Sequence, residues 1–188
     1  MNFPDGAVND SNGGAVCAPN DGNCAHSYAF DDIDGVSLPL VDYTGRPILV
    51  VNTASRCGLT PHYAGLQTLW DRYKGQGLMV IGVPSNDFGR QEPGPESEIR
   101  AFCDAQFGIS FPLTRKISVR GPNAHPWYRW AASQTGLLGR PYWNFHKYLV
   151  DPNGRMANWF SSVTPPLSRR LTDAIERLLP PVGKLRQK

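Results

Sequence analysis

The stretch Ile48-Leu-Val-Val-Asn-Thr-Ala-Ser-Arg-Cys57-Gly-Leu-Thr60 decides how the rest of the chain is read. Its opening run of aliphatic and β-branched residues has the pattern of a strand buried on both faces. The run breaks into small polar residues and then delivers a cysteine followed by glycine. Beyond Pro61, the spacing of Leu66, Leu69, Trp70 and Tyr73 predicts a helix from about His62 to Lys74, closed by Gly75 and Gly77. A thiol at a strand-to-helix junction lies where unpaired backbone N–H groups and the helix dipole favour negative charge. The thiolate is the reactive form of cysteine, and Arg56 adds a neighbouring cation. Cys57 is therefore read as a nucleophile, set against the usual fate of a free cysteine, a buried structural residue.

Outward from this stretch the chain reads as alternating elements. Ser27 to Val41 alternates with period two around Asp34-Gly35, the signal of a hairpin. Leu78–Val83 is a second buried strand, and Pro84–Gly94 is too rich in turn formers to be regular. Glu96–Phe107 predicts a helix with Ile99, Phe102 and Cys103 toward the core. A short strand is expected near Lys116–Val119, a helix from Ala124 to Gln134, and strands His146–Val150 and Arg155–Phe160 about an Asp-Pro-Asn-Gly turn. A last helix spans about Ser168–Leu179. This order predicts an α/β, thioredoxin-like fold, with a central mixed sheet flanked by helices and an added N-terminal β-hairpin. The Asn-, Asp- and Gly-rich residues 1–25 read as a flexible tail, 26–180 as one domain and 181–188 as a C-terminal tail.

Composition removes several function classes. Among 188 residues, 19 basic against 16 acidic give a formal charge of +3, dispersed and without basic runs, which argues against nucleic acid. No apolar run approaches the ~20 residues of a membrane span, and the N-terminus lacks a secretory signal pattern. A cytoplasmic location is expected, or a periplasmic or exported one if a signal was removed. Four cysteines without a C-x-x-C pair exclude a disulfide scaffold and a zinc site, so no metal or cofactor is expected. Cys17 and Cys24, in the tail, are expected to be passengers, although they could close a small disulfide.

With Asn52–Thr60, Pro84-Ser-Asn-Asp-Phe-Gly-Arg-Gln-Glu-Pro-Gly94 and Trp143-Asn-Phe145 in that order, the chain resembles the glutathione peroxidase family from about His26 to Leu179. The resemblance implies a thioredoxin fold that reduces hydroperoxides, with a catalytic group of Cys57, Gln91, Trp143 and Asn144. The residue chemistry agrees: a thiolate attacking an O–O bond needs neutral donors for its own charge and for the departing oxygen, and two amides and an indole supply them. The sequence departs from the commonest family pattern at Ser85, where Cys is frequent, and at Asp87, where Gln is frequent. Neither belongs to that group, though Ser85 removes one candidate partner thiol.

Cys103, 46 residues beyond Cys57, lies in a segment that looks like the resolving-cysteine region of the family's thioredoxin-dependent branch. That likeness implies a Cys57 sulfenic acid resolved by Cys103 and a disulfide reduced by thioredoxin, with partial unwinding of the 96–107 helix. A core cysteine is the plain alternative. Without a resolving thiol, glutathione would be the reductant, held by a cationic rim of Arg56, Arg90 and Arg140. A peroxide sensor that relays oxidation to a partner protein would use the same residues. Peroxiredoxins fit less well because position 54 is Ala, and copper-chaperone relatives of the fold because position 61 is Pro. The compact 133–142 segment resembles the shorter family members, implying a monomer or weak dimer and an active site open to bulky hydroperoxides.

Overall fold

The computed structural model describes residues 22–180 and the backbone of Gly6 and Ala7. Strands β2 (Ala29–Asp31) and β3 (Ser37–Pro39) form the expected hairpin. The main sheet contains β4 (Ile48–Thr53), β5 (Met79–Pro84), β6 (Lys147–Val150) and β7 (Met156–Phe160), with the two-residue β1 (Gly6–Ala7) at its edge. Its order is β1-β7-β6-β4-β5. β4 and β5 are parallel, joined by α1 (His62–Tyr73), and the remaining pairs are antiparallel. The helices α2 (Glu96–Phe107), α3 (Pro126–Thr135) and α4 (Arg169–Leu178) complete the layers.

Side-chain alternation divides the core into two layers. From β4, Leu49 and Val51 join α1, α2 and α4 through Leu66, Leu69, Ile99 and Ile175. Ile48 and Val50 point the other way, onto Trp127, Tyr128 and Ala131 of α3 and onto Phe30 of the hairpin. Every residue of β4, β5 and β6 is buried, which explains the continuous apolar runs. Gly108, at φ 58°, ends α2 in the left-handed conformation that glycine accepts without strain.

Three expectations need correction or extension. The segment near Lys116–Val119 is not a strand. Isolated bridges, Gly82 to Leu113 and Asp32 to Thr114, precede it, and within it the Ile117 N–H reaches the Pro84 carbonyl without extending a ladder. The reason is competition for its N–H groups by side chains from other segments: Lys116 donates to Glu96 Oε1, while Val119 and Arg120 donate to Asp87 Oδ2. Asp87, one of the departures from the family pattern, thus orders this connection. The second concerns Gly6–Ala7, assigned to the tail, which pair with Asn158 and Trp159 of β7. The third concerns Cys24, read as a passenger, which is fully buried and disulfide-bonded. Cys17, with residues 1–5, 8–21 and 181–188, lies outside the described residues.

Candidate active site

Cys57 follows the end of β4 by a tight loop before α1. Thr60 builds this loop: its hydroxyl accepts the Cys57 N–H at 3.0 Å and donates to the Ala54 carbonyl at 3.0 Å. The Thr60 N–H in turn reaches the Cys57 carbonyl. This geometry brings the Leu59 N–H to 3.3 Å from Cys57 Sγ, a donor aimed at the sulfur. Cys57 is 8% exposed, largely shielded yet open at one side. Sequence reading missed Thr60, although a hydroxyl three residues after the cysteine, ahead of a helix, was the available signal.

The other three predicted residues come from two distant loops. Asn144, fully buried, donates through Nδ2 to Gln91 Oε1 at 2.9 Å. The Gln91 carbonyl accepts the Arg56 N–H, which ties this loop to the residue before Cys57. Gly89 adopts φ 63°, and a Cβ there would lie 3.4 Å from both Gln91 Cδ and Trp143 Cη2. Glycine thus lets the amide and indole close on one point of the chain. Trp143 keeps 41% of its surface exposed and packs against Phe88, with ring centroids 6.1 Å apart.

Buried polar groups fix the Trp143-Asn144 turn from below. Asn52 on β4 donates to the Trp143 carbonyl at 3.1 Å, and its own carbonyl accepts the Phe145 N–H. Phe145 sits at φ 66°, unusual for an aromatic residue. The fully buried Lys147 donates its ammonium to the Phe145 carbonyl at 2.7 Å and so braces that backbone. Burial, and after it the charge of Lys147, push the His62 imidazole down to about 4, leaving it neutral at physiological pH. Glu92, beside Gln91, is buried and accepts from Ser55 Oγ at 3.1 Å, and burial raises its carboxyl above the usual range. Nothing in the sequence pattern separated Asn52, Glu92 or Lys147 from ordinary strand and loop residues.

Cys103 stands apart on α2. It is fully buried within the same apolar layer as Cys57, and both are free thiols. Burial pushes the Cys103 thiol up to about 11. The Tyr63 hydroxyl faces Cys103 and Thr53, yet neither it nor the Thr53 hydroxyl has a well-formed hydrogen bond. Of the expected cationic rim, Arg56, Arg90 and Arg140 are all exposed.

The thiol thus carries a backbone donor on its sulfur and adjoins loops that hold paired amides and an exposed indole. The family model for glutathione peroxidase matches residues 25–132. The chain is 39% identical over 165 residues to hydroperoxy fatty acid reductase gpx1 of Synechocystis, covering 84% of this chain and 96% of that protein. It is 44% identical over 151 residues to glutathione peroxidase-like peroxiredoxin HYR1 of Saccharomyces cerevisiae, covering 79% and 91%. This chain belongs to the glutathione peroxidase family. It is accordingly a peroxidase, a thiol-based reducer of hydroperoxides. Among solved structures, T. cruzi GPX1 superimposes with a TM-score of 0.63 at 30% identity, covering 82% of this chain and 94% of that one. A thiol:disulfide interchange protein from Chlorobium tepidum, at TM-score 0.62 and 16% identity, shares the thioredoxin-like fold. Within the glutathione peroxidase fold the hairpin β2–β3 is a separate two-stranded sheet packed on the α3 face.

Proposed function

We propose that this enzyme reduces hydrogen peroxide and organic hydroperoxides through Cys57, with Gln91, Trp143 and Asn144 as its donors and Cys103 as the resolving thiol. The Cys57 thiolate attacks the terminal peroxide oxygen, the O–O bond breaks, and the departing alkoxide or hydroxide takes a proton to leave as alcohol or water. Cys57 becomes a sulfenic acid. The Cys103 sulfur then attacks Cys57 Sγ, water departs, and a disulfide forms. An external dithiol, thioredoxin in this reading, restores both thiols by exchange. The observation that carries the peroxidase site is the Leu59 N–H on Cys57 Sγ, beside a Gln91–Asn144 pair joined to the same loop through Arg56.

Resolution requires Cys103 to leave its site, because a buried neutral thiol on a formed helix is a poor nucleophile. Three features favour a local opening of α2. Only Ile99 and Cys103 on this helix are fully buried. Its N-terminal flank, Pro95, offers no side-chain cap. The unsatisfied Tyr63 and Thr53 hydroxyls gain water when the helix moves, offsetting part of the cost. A cavity of about 190 Å³ between Ser55 and Arg56 on one side and Ile99 and Phe102 of α2 on the other leaves the helix room to shift.

The test is peroxide consumption measured in parallel with thioredoxin plus its reductase and with glutathione plus its reductase. Sustained turnover only with thioredoxin is expected, together with a Cys57–Cys103 linked peptide after oxidation. Turnover with glutathione alone would assign the other reductant. A single oxidation passed to a client protein, without turnover, would make the protein a sensor.

A further inference from the structure

One buried acid beside the nucleophile takes no part in the attack on peroxide. Glu92 is 1% exposed, one of two carboxylates buried among the described residues. The other, Asp151, accepts the Asn153 and Arg155 N–H groups and so shapes the β6–β7 turn. Glu92 faces the nucleophile loop instead: Ser55, two residues before Cys57, donates its hydroxyl to Glu92 Oε2 at 3.1 Å. Lys116 spends its ammonium on the Glu92 and Gly94 carbonyls, at 3.3 and 2.6 Å, and Arg56 is exposed. A buried carboxylate without a bonded cation is costly to keep.

Its position gives it a use. Glu92 lines the cavity that separates Ser55 and Arg56 from Ile99 and Phe102 of α2. Cys103 follows Phe102 on that helix and is buried in the same apolar layer as Cys57. A helix that shifts into this cavity brings the Cys103 thiol into the space that Glu92 lines, next to the nucleophile loop. Burial, and after it the Glu92 charge, hold that thiol up at about 11. A thiol so reluctant to ionise needs a base at hand. Burial also raises Glu92 above the usual carboxylate range, which makes its anion the stronger base.

We propose that Glu92 carries the proton of the resolving step, an inference that rests on Cys103 as the resolving thiol. As α2 shifts, the Glu92 carboxylate takes the Cys103 thiol proton. The freed thiolate attacks Cys57 Sγ, the S–S bond forms, and the S–O bond of the sulfenic acid breaks. The departing hydroxide takes the proton from Glu92 and leaves as water, so the carboxylate ends as it began. Around Glu92 stand Ser55 and Arg56 of the nucleophile loop, Lys116, Tyr63 of α1, and Glu98 and Cys103 of α2. Of these, only Cys103 must lose a proton for the disulfide to form.

The experiment oxidises the full-length reduced protein with one equivalent of hydrogen peroxide, traps the remaining thiols at intervals, and counts the Cys57–Cys103 disulfide by mass spectrometry across a range of pH. With Glu92 as the base, the wild-type rate of disulfide formation is level between about pH 6.5 and 8.5 and falls below that window. In Glu92→Gln it should drop about a hundredfold at neutral pH and climb about tenfold per pH unit, following the thiolate fraction of Cys103 alone. Glu98→Gln, which removes an exposed carboxylate from the same cavity, should keep the level profile. A wild-type rate that climbs tenfold per unit through the whole window overturns the proposal without reliance on any variant, as does a wild-type rate in Glu92→Gln. Absence of the linked disulfide in the wild-type protein would instead remove Cys103 as the resolving thiol, and this step with it.

Discussion

Replacing Thr60 by Val tests the claim that one hydroxyl builds the nucleophile loop. The change is nearly isosteric, yet it removes the acceptor of the Cys57 N–H and the donor to the Ala54 carbonyl, both at 3.0 Å. Thr60 is 8% exposed and Ala54 fully buried, so water does not readily replace either partner. Two unsatisfied backbone groups at about 1–2 kcal/mol each give a loss of about 2–4 kcal/mol. That is a large share of the ~5–15 kcal/mol stability of a domain, though not all of it. Thr60→Ser keeps both hydrogen bonds, loses one methyl and should cost at most about 1 kcal/mol. Urea unfolding of the reduced protein measures both, and stopped-flow tryptophan fluorescence follows the single oxidation of Cys57 by peroxide. The valine variant should also oxidise about tenfold more slowly, because Leu59 N–H no longer holds its place on Sγ. Wild-type stability in Thr60→Val, or equal losses in the two variants, would refute the assignment.

Four further outcomes follow from the same geometry. Gln91→Leu leaves the Asn144 amide without its side-chain acceptor and should lower kcat/KM for hydrogen peroxide about a hundredfold, with the urea midpoint reporting any accompanying loss of stability. Cys103→Ser should keep one stoichiometric oxidation of Cys57 but lose turnover with thioredoxin, and mass spectrometry should find Cys57 overoxidised in place of the linked peptide. The Cys103 thiol is raised in the fold to about 11 against its ordinary 9. Its contribution is therefore fully present below pH 9 and lost as pH rises toward 11, and wild-type stability should fall across that window about 2–3 kcal/mol further than that of Cys103→Ala. Lys147→Met removes the ammonium that holds the left-handed Phe145; it should slow Cys57 oxidation and raise the pH at which His62 titrates, read by NMR of the His62 ring.

Much of the fold could be read locally. The buried runs at 48–53 and 79–84 and the hairpin turn at Asp34-Gly35 announce themselves through period, length and turn chemistry, which need no distant partner. The bounds of α2 at Glu96 and Phe107 follow equally from apolar spacing and the glycine after it. The 116–119 segment misled because its residue types suit a strand, whereas Asp87 and Glu96, far away in sequence, take up its N–H groups.

By itself the sequence determined the layer architecture and the motif residues that carry the family resemblance, and it singled out Cys57 as the candidate nucleophile, since these rest on periodicity and on residue types at fixed spacing. Only the tertiary structure decided that Thr60 folds the Cys57 loop, that Asn144 spends its amide on Gln91, and that Lys147 lies buried beneath Phe145. The physical reason is that burial and hydrogen-bond partnership belong to pairs of groups, and the partners here are brought together by the sheet from positions tens of residues apart.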